Sequence, residues 1–207
     1  MEKTFYERLR IDLLRGRFRS GEWLKQADLE SQYAATRSEV RAALTELATR
    51  QLVEHVPNRG YRVVNHNDAQ REHLYETRVI VETGAARLVV SRATDADIEK
   101  FAALVEAFDV AADRADHAKL RDINWQLHDV FYRFSGNDLL ADEIRELRER
   151  GTFGNTGTWS TLAGIRASSA DHREMLAMLR KRDSEGLTHV IYRHLNRRRE
   201  FTSQDEL

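Results

Sequence analysis

Residues 36–44 read TRSEVRAAL, and this stretch decides how the first third of the chain folds. Thr36 is a favourable helix N-cap, and apolar residues then recur at the three- and four-residue spacing of a buried helix face. The pattern predicts a helix from Arg37 to Arg50. Its inner face carries four apolar residues: Val40, Ala43, Leu44 and Leu47.

The opposite side of the first turn and a half of this helix carries hydrogen-bond donors. Arg37, Ser38 and Arg41 project away from the apolar face, where a helix that enters a DNA groove presents its side chains. Helix N-terminal amides and a Ser hydroxyl donate to phosphate, and an Arg fork can contact O6 and N7 of guanine together. For any single Arg, a merely solvated side chain is the better interpretation.

Two shorter helices are predicted before residue 36. The first covers the apolar-periodic stretch 6–14 and is ended by Gly16, and the second covers 27–33. Together with the third helix they have the order and spacing of a helix-turn-helix, in which the last helix enters the major groove.

A hairpin is predicted after the third helix, because the apolar spacing changes to alternation. The predicted strands cover 52–56 and 61–64, and Pro57 begins the turn between them. Three helices followed by a hairpin describe a winged helix-turn-helix over residues 1–66. The candidate DNA contacts at the tip of this wing are Asn58, Arg59 and Gly60.

The composition excludes several classes of protein. The chain has 207 residues and no Cys, which excludes a disulfide scaffold and any thiolate metal site. No apolar run approaches the roughly 20 residues of a membrane span, and the N-terminus lacks the layout of a signal peptide, so we expect a cytoplasmic protein without a membrane partner. Residues 1–66 hold 12 Lys and Arg against 9 Asp and Glu, which is weak support for a polyanion partner.

The remainder of the chain is predicted to be helical. After a polar linker at 67–69 it contains no Pro and shows no strand pattern. Thr94 followed by Asp97 predicts a capping box at the start of the second helix. The fold class is therefore mainly α. A winged helix-turn-helix is followed along the chain by a helical bundle over 70–207. Its six predicted helices lie near 69–92, 95–113, 116–135, 138–150, 160–182 and 184–203.

Three His and one Asn of the helical domain are candidate metal ligands. Asn124 and His128 are four residues apart and share a helix face, whereas Asp122 should point elsewhere. His172 and His194 lie beside apolar positions of the last two helices. Neutral imidazoles with one oxygen ligand suit Zn, Ni or Mn-like divalent metals. From spacing alone, three unrelated His residues with ordinary hydrogen bonds remain the better interpretation.

Arg78 and Glu82 are the candidates for an effector site. They lie four residues apart on the first helix of the helical domain. Arg78 either holds the carboxylate of an effector or pairs with Glu82, and the sequence favours neither role.

The first third of the chain resembles the GntR superfamily of bacterial transcription regulators. The family's SRTPVREAL stretch appears here as TRSEVRAAL, with Glu39 in place of Pro and Ala42 in place of Glu. Arg37 and Arg41 are retained, so the resemblance implies that the family's main DNA contacts carry over. Glu39 adds a negative charge near phosphate, and Ala27 replaces a basic residue that is frequent in relatives.

Residues 70–202 are similar to the FCD domain, the all-helical effector domain of the FadR-type branch of these regulators. The family pattern is matched by the stretches 74–82, 124–137, 171–176 and 194–195. Metal-binding members have an Asp and three His at the matching ligand positions. The resemblance therefore implies a metal site made of Asn124, His128, His172 and His194. Because Asn124 stands where the family has Asp, the site is more positive by one charge and should bind metal more weakly.

The resemblance implies a ligand-responsive regulator, most often a repressor in this family. Such a protein binds operator DNA as a homodimer, and a small organic acid is the usual effector. Two alternatives stay open. One is an all-helical metal hydrolase built on the three His, although no paired carboxylate or Glu-x-x-His motif is visible near them. The other is a DNA-binding dimer without an effector.

Overall fold

The computed structural model describes residues 3–152 and 161–202, with side chains up to Arg197. This part of the chain divides into two compact units. The first contains residues 3–72 and 148–152, and the second contains residues 73–147 and 161–202. Nine helices and three short strands are found in the described residues, so the mainly helical fold class is confirmed.

Three helices form the larger part of the first unit. They are α1 (Phe5–Leu14), α2 (Gln26–Tyr33) and α3 (Arg37–Thr49). Ala34 adopts a left-handed φ of 50°, which ends α2 and begins the turn into α3. Leu9 on α1, Leu29 on α2 and Leu44 on α3 are almost fully buried and pack the three helices together. All three predicted helices are confirmed to within one residue at each end.

The wing is a three-stranded antiparallel sheet in the order β1-β3-β2. Its strands are β1 (Trp23–Leu24), β2 (Val53–Val56) and β3 (Gly60–Val63). The predicted hairpin of β2 and β3 is confirmed, with Val53 opposite Val63. β1 was not predicted, because two residues are too few to show an alternating pattern. It is held by pairing with β3, with Trp23 opposite Arg62.

Six helices follow the wing, and they match the six predicted ones to within two residues at each described end. Residues 160 and 203, where two of the predictions start and end, lie outside the described residues. The predicted capping box of Thr94 and Asp97 is confirmed at the start of the second helix. No helix in the described ranges is both long and apolar enough to cross a membrane. The helices are α4 (Asp68–Arg92), α5 (Asp95–Asp113), α6 (His117–Arg133), α7 (Asp138–Arg150), α8 (Leu162–Arg180) and α9 (Ser184–Thr202).

In the second unit α5 packs against α6 and α8, and α8 packs against α9. Phe101 on α5 packs against Phe131 on α6 with ring centroids 5.1 Å apart, and neither ring is exposed. The same core includes Leu179 on α8 and Leu195 on α9, both at most 1% exposed. Burial of these apolar side chains stabilises the packing of α5, α6, α8 and α9. Polar side chains of α6, α8 and α9 face the same interior.

Candidate DNA interface and histidine cluster

The N-terminus of α3 presents the predicted DNA-contacting side chains on an exposed surface. Thr36, Arg37, Ser38 and Arg41 are all exposed, while Val40 beneath them is fully buried. Within residues 3–152 and 161–202, the side chains of Arg37 and Arg41 make no ion pair or hydrogen bond. Both guanidinium groups can therefore form hydrogen bonds or ion pairs with a binding partner.

Glu39 closes the first turn of α3. Its carboxylate accepts hydrogen bonds from the backbone N–H of Thr36 at 2.8 Å and from the Thr36 hydroxyl at 2.6 Å, and the Glu39 N–H donates to Thr36 Oγ1 at 3.3 Å. The two hydrogen bonds that Glu39 accepts hold the pKa of its carboxyl below the usual value. Sequence reasoning treated Glu39 only as a charge near phosphate, although the T-x-x-E spacing of residues 36–39 is a capping-box signature.

The wing tip turns through Asn58 and Gly60, whose φ angles are 61° and 99°. Arg59 lies between them and is exposed. Its guanidinium carbon lies 4.7 Å from the centre of the Trp23 ring on β1, within the range of a cation–π contact. Trp23 is a residue that sequence reasoning missed, because its position beneath Arg59 depends on the pairing of β1 with β3.

Three His side chains from three helices meet inside the second unit. His128 on α6 and His172 on α8 are buried, and His194 on α9 is 12% exposed. The distances between the ring centres are 5.2, 5.2 and 5.1 Å, so the three rings form a nearly equilateral triangle. One ring nitrogen from each residue lies within 4.8 Å of the other two. The structure thus brings together all three His residues that were singled out.

The hairpin of α8 and α9 explains why two of these His residues meet. Arg182, in the turn between the helices, has a left-handed φ of 55°. His172 precedes it by ten residues and His194 follows it by twelve, so two antiparallel helices bring both to nearly the same height. Two residues can meet across a tight helical hairpin only if they lie at similar sequence distances from its turn, and His172 and His194 do so.

Asn124 lies one helical turn before His128 on α6. Its side-chain oxygen Oδ1 is buried, and it has no hydrogen-bond partner among the described residues. A buried amide oxygen without a donor is costly unless a cation or another donor satisfies it. Asp122, the alternative ligand, does not belong to the cluster in the described part of the chain.

A buried carboxylate lies behind His194. Asp171 on α8 has no exposed surface, and its Oδ2 lies 3.3 Å from Nδ1 of His194. Arg193 donates to Oδ1 of the same carboxylate at 2.9 Å, and Nε of Arg197 lies 3.0 Å from Oδ2. Sequence reasoning missed Asp171, because its partners come from a different helix.

The surroundings of Asp171 determine its charge and the tautomer of His194. Burial alone raises the pKa of the Asp171 carboxyl, but the hydrogen bond from His194 and the charges of the neighbouring side chains hold it below the usual value. Asp171 is therefore a carboxylate, to which Nδ1–H of His194 donates. A proton on Nδ1 places the lone pair of the ring on Nε2, the nitrogen that can ligate a metal.

Arg78 and Glu82 form a buried ion pair on α4. Nε of Arg78 donates to Oε1 of Glu82 at 2.7 Å, and the two side chains are 5% and 1% exposed. The Tyr132 hydroxyl on α6 donates to the other Glu82 oxygen, also at 2.7 Å. Of the two roles that the sequence left open for Arg78, the pairing with Glu82 is present in the structure.

Comparison with known protein families accounts for both units. The family model "Bacterial regulatory proteins, gntR family" matches residues 2–63, and the FCD domain model matches residues 73–197. The chain is a GntR-family regulator with an FCD domain. This GntR-family protein is therefore a DNA-binding transcription regulator of a non-enzyme class, and domains of the FCD type bind small-molecule effectors.

Individual relatives support the same assignment. The Nta operon transcriptional regulator of Aminobacter aminovorans is 26% identical over 185 residues, which cover 87% of this chain and 84% of that protein. The HTH-type transcriptional repressor GlaR of Escherichia coli K12 is 31% identical over 151 residues, covering 70% and 66%. The solved structure of E. coli McbR/YncC has the same fold, with a TM-score of 0.87 and 21% identity over the full length of both chains.

Removing the Tyr132 hydroxyl should destabilise this regulator. We expect Tyr132→Phe to lower the free energy of unfolding by about 1–3 kcal/mol, because the buried Glu82 loses one of its donors. Urea unfolding followed by circular dichroism measures this change. Tyr192→Phe, at a position that is 50% exposed, is the control and should change the free energy little. Equal stability of the two variants would contradict a structural role for the Arg78–Glu82–Tyr132 network.

Proposed function

We propose that this protein is a cytoplasmic repressor that binds its operator as a homodimer and releases it when a small organic acid binds the FCD domain at a metal. The observation that carries the proposal is the triangle of His128, His172 and His194, with ligand atoms within 4.8 Å of one another. It lies in the domain that, in this family, receives small-molecule effectors.

The DNA contacts in this proposal come from the start of α3 and from the wing. Arg37 and Arg41 are exposed and can contact phosphates and guanine edges, while Ser38 and the amides of the first turn hold a phosphate. Thr36 keeps that turn formed through its capping box with Glu39. At the wing tip, Asn58 and Gly60 supply the turn that presents Arg59 to the DNA backbone or the minor groove.

The metal site in this proposal consists of Asn124, His128, His172 and His194. Three imidazoles and an amide oxygen suit a Zn, Ni or Mn-like divalent ion, and the buried Asn124 oxygen without a donor fits a ligand role. Such a metal, when bound, supplies open coordination positions that accept a carboxylate oxygen. Asp171 keeps His194 in the tautomer that ligates through Nε2.

The charges around the cluster favour an acidic effector. All four proposed ligands are neutral, and the nearby Asp171 carboxylate already pairs with Arg193 and Arg197. A divalent ion in this site would therefore keep most of its positive charge. A carboxylate supplies the missing negative charge, so we expect metal and acid to bind with positive cooperativity. Arg78 is engaged by Glu82, so we propose the metal as the main anchor of the acid.

Release of the operator follows from linkage. The two α3 helices of a homodimer would enter successive major grooves of a near-palindromic operator. An acid that binds the DNA-incompetent arrangement of the dimer more tightly shifts the population toward it. The operator in turn weakens binding of the acid by the same factor.

Replacing Arg41 tests the DNA contacts. We expect Arg41→Ala to weaken operator binding by about 10- to 100-fold, because one charged donor to phosphate or guanine is lost. Fluorescence anisotropy of a labelled duplex from the protein's own upstream region measures this at several salt concentrations. Arg50→Ala, at the other end of α3, is the control and should bind nearly as the wild type does. Unchanged affinity of Arg41→Ala would count against this use of α3.

Restoring the acidic ligand tests the metal site. We expect Asn124→Asp to raise the affinity of the protein for Ni²⁺ about 10-fold, because a charged oxygen replaces a neutral one. Isothermal titration calorimetry of the metal-free protein with NiCl₂ measures the change. Gln126→Glu is the matched control, since it adds the same charge to an exposed position of α6. If the two variants bind Ni²⁺ equally, Asn124 is not a ligand.

A further inference from the structure

One face of α4 is exposed along most of the helix. Six residues follow each other in alternating steps of four and three, which keeps them on one side of the helix as in the seam of a coiled coil. Ile80 at the centre exposes 72% of its surface, so a large apolar side chain lies in the middle of this otherwise polar face. The six residues, all exposed, are His73, Thr77, Ile80, Gly84, Arg87 and Ser91.

This face, which we call the α4 seam, is complementary to itself. Gly84 lies one turn after Ile80, and a Cβ added there would meet nothing within 4 Å, so a gap follows the exposed side chain. Consider two antiparallel copies of α4 related by a two-fold axis at the level of residue 82. Ile80 of one copy then lies opposite Gly84 of the partner subunit, because both are two residues from the axis. Each Ile80 fills the gap of the other copy, which is an isologous contact.

The same axis brings opposite charges together. Glu76 and Arg87 are exposed, and neither makes an ion pair within residues 3–152 and 161–202. Glu76 precedes the level of residue 82 by six residues and Arg87 follows it by five. Arg87 would therefore lie within about 1.5 Å, in height along the helix, of Glu76 of the partner subunit. The two-fold axis makes this pair twice.

A groove beside the α4 seam offers room for side chains of a second copy. It has a volume of about 650 Å³ and runs between α4 and α9, lined by Ile80, Thr83, Gly84, Arg87, Glu185 and Thr188. Glu185 and Thr188 form the wall of this groove on α9. Shape and charge therefore both fit a second copy of this chain.

We propose that the α4 seam is the surface on which a second copy of this regulator docks, with the two α4 helices antiparallel around the level of residue 82. This inference rests on the homodimer of the proposed function and adds the place where it forms. The exposed Ile80, the gap at Gly84 and the complementary charges carry it.

A charged side chain at the centre of the α4 seam tests the docking surface. We expect Ile80→Glu to raise the dissociation constant of the dimer by about 100-fold or more, because a carboxylate would be buried without a partner. Sedimentation equilibrium of the full chain, without DNA, measures the constant. Leu139→Glu is the matched control, because Leu139 is 73% exposed on α7 and should tolerate the charge.

Exchanging the charges of Glu76 and Arg87 provides a second test. Both residues are exposed, so these substitutions should not disturb folding. We expect Arg87→Glu and Glu76→Arg each to weaken the dimer about 10-fold, since each places like charges opposite one another. The double variant restores opposite charges and should recover the wild-type constant to within about threefold. Circular dichroism confirms that each variant keeps its helical content.

The outcomes separate the docking surface from the homodimer itself. Loss of the dimer in Ile80→Glu, retention in Leu139→Glu and recovery in the double charge variant support the α4 seam. A dimer that withstands Ile80→Glu, or that fails equally in Leu139→Glu, overturns the seam and leaves the proposed homodimer intact. A monomeric wild type that still binds its operator in the anisotropy assay overturns both the seam and the homodimer.

Discussion

The FCD domain of this regulator depends most on the contacts that the Asp171 carboxylate makes. This carboxylate is fully buried on α8 and meets His194, Arg193 and Arg197 of α9. A buried charge is tolerated only when partners surround it, so these contacts fix the register of α9 against α8. That register places His194 beside His172. Their position against α6 completes the triangle with His128, from which the proposed metal site follows.

Two departures from the family's sequence pattern have different consequences. Glu39 replaces a Pro, and its carboxylate is bound at the cap of α3 by the backbone and hydroxyl of Thr36. The recognition helix therefore keeps its start and its two exposed arginines. Asn124 stands where the resemblance to metal-binding members of the family implies an acidic ligand, and its buried oxygen has no donor in the described residues. In our proposal the first change preserves DNA binding, while the second makes metal binding depend on an acid.

Local features of this chain could be predicted from the sequence, and contacts between distant segments could not. Helix ends such as the Thr94 cap, the hairpin after residue 50 and the faces of the three His residues follow from periodicity and turn chemistry. The two residues of β1 carry no pattern of their own, so Trp23 could not be placed beneath Arg59. The partners of Asp171 lie on another helix, and only the packing of α8 against α9 reveals them.

X-ray absorption at the metal edge tests most directly whether α6, α8 and α9 hold a divalent ion through three imidazoles. With one equivalent of Zn²⁺ bound, we expect three imidazole nitrogens at about 2.0–2.1 Å from the metal. The double variant His128→Ala/His194→Ala should lose this imidazole shell, whereas His189→Ala, altered at an exposed position of α9, should keep it. An oxygen-only shell that is identical in the wild type and the double variant would contradict the site.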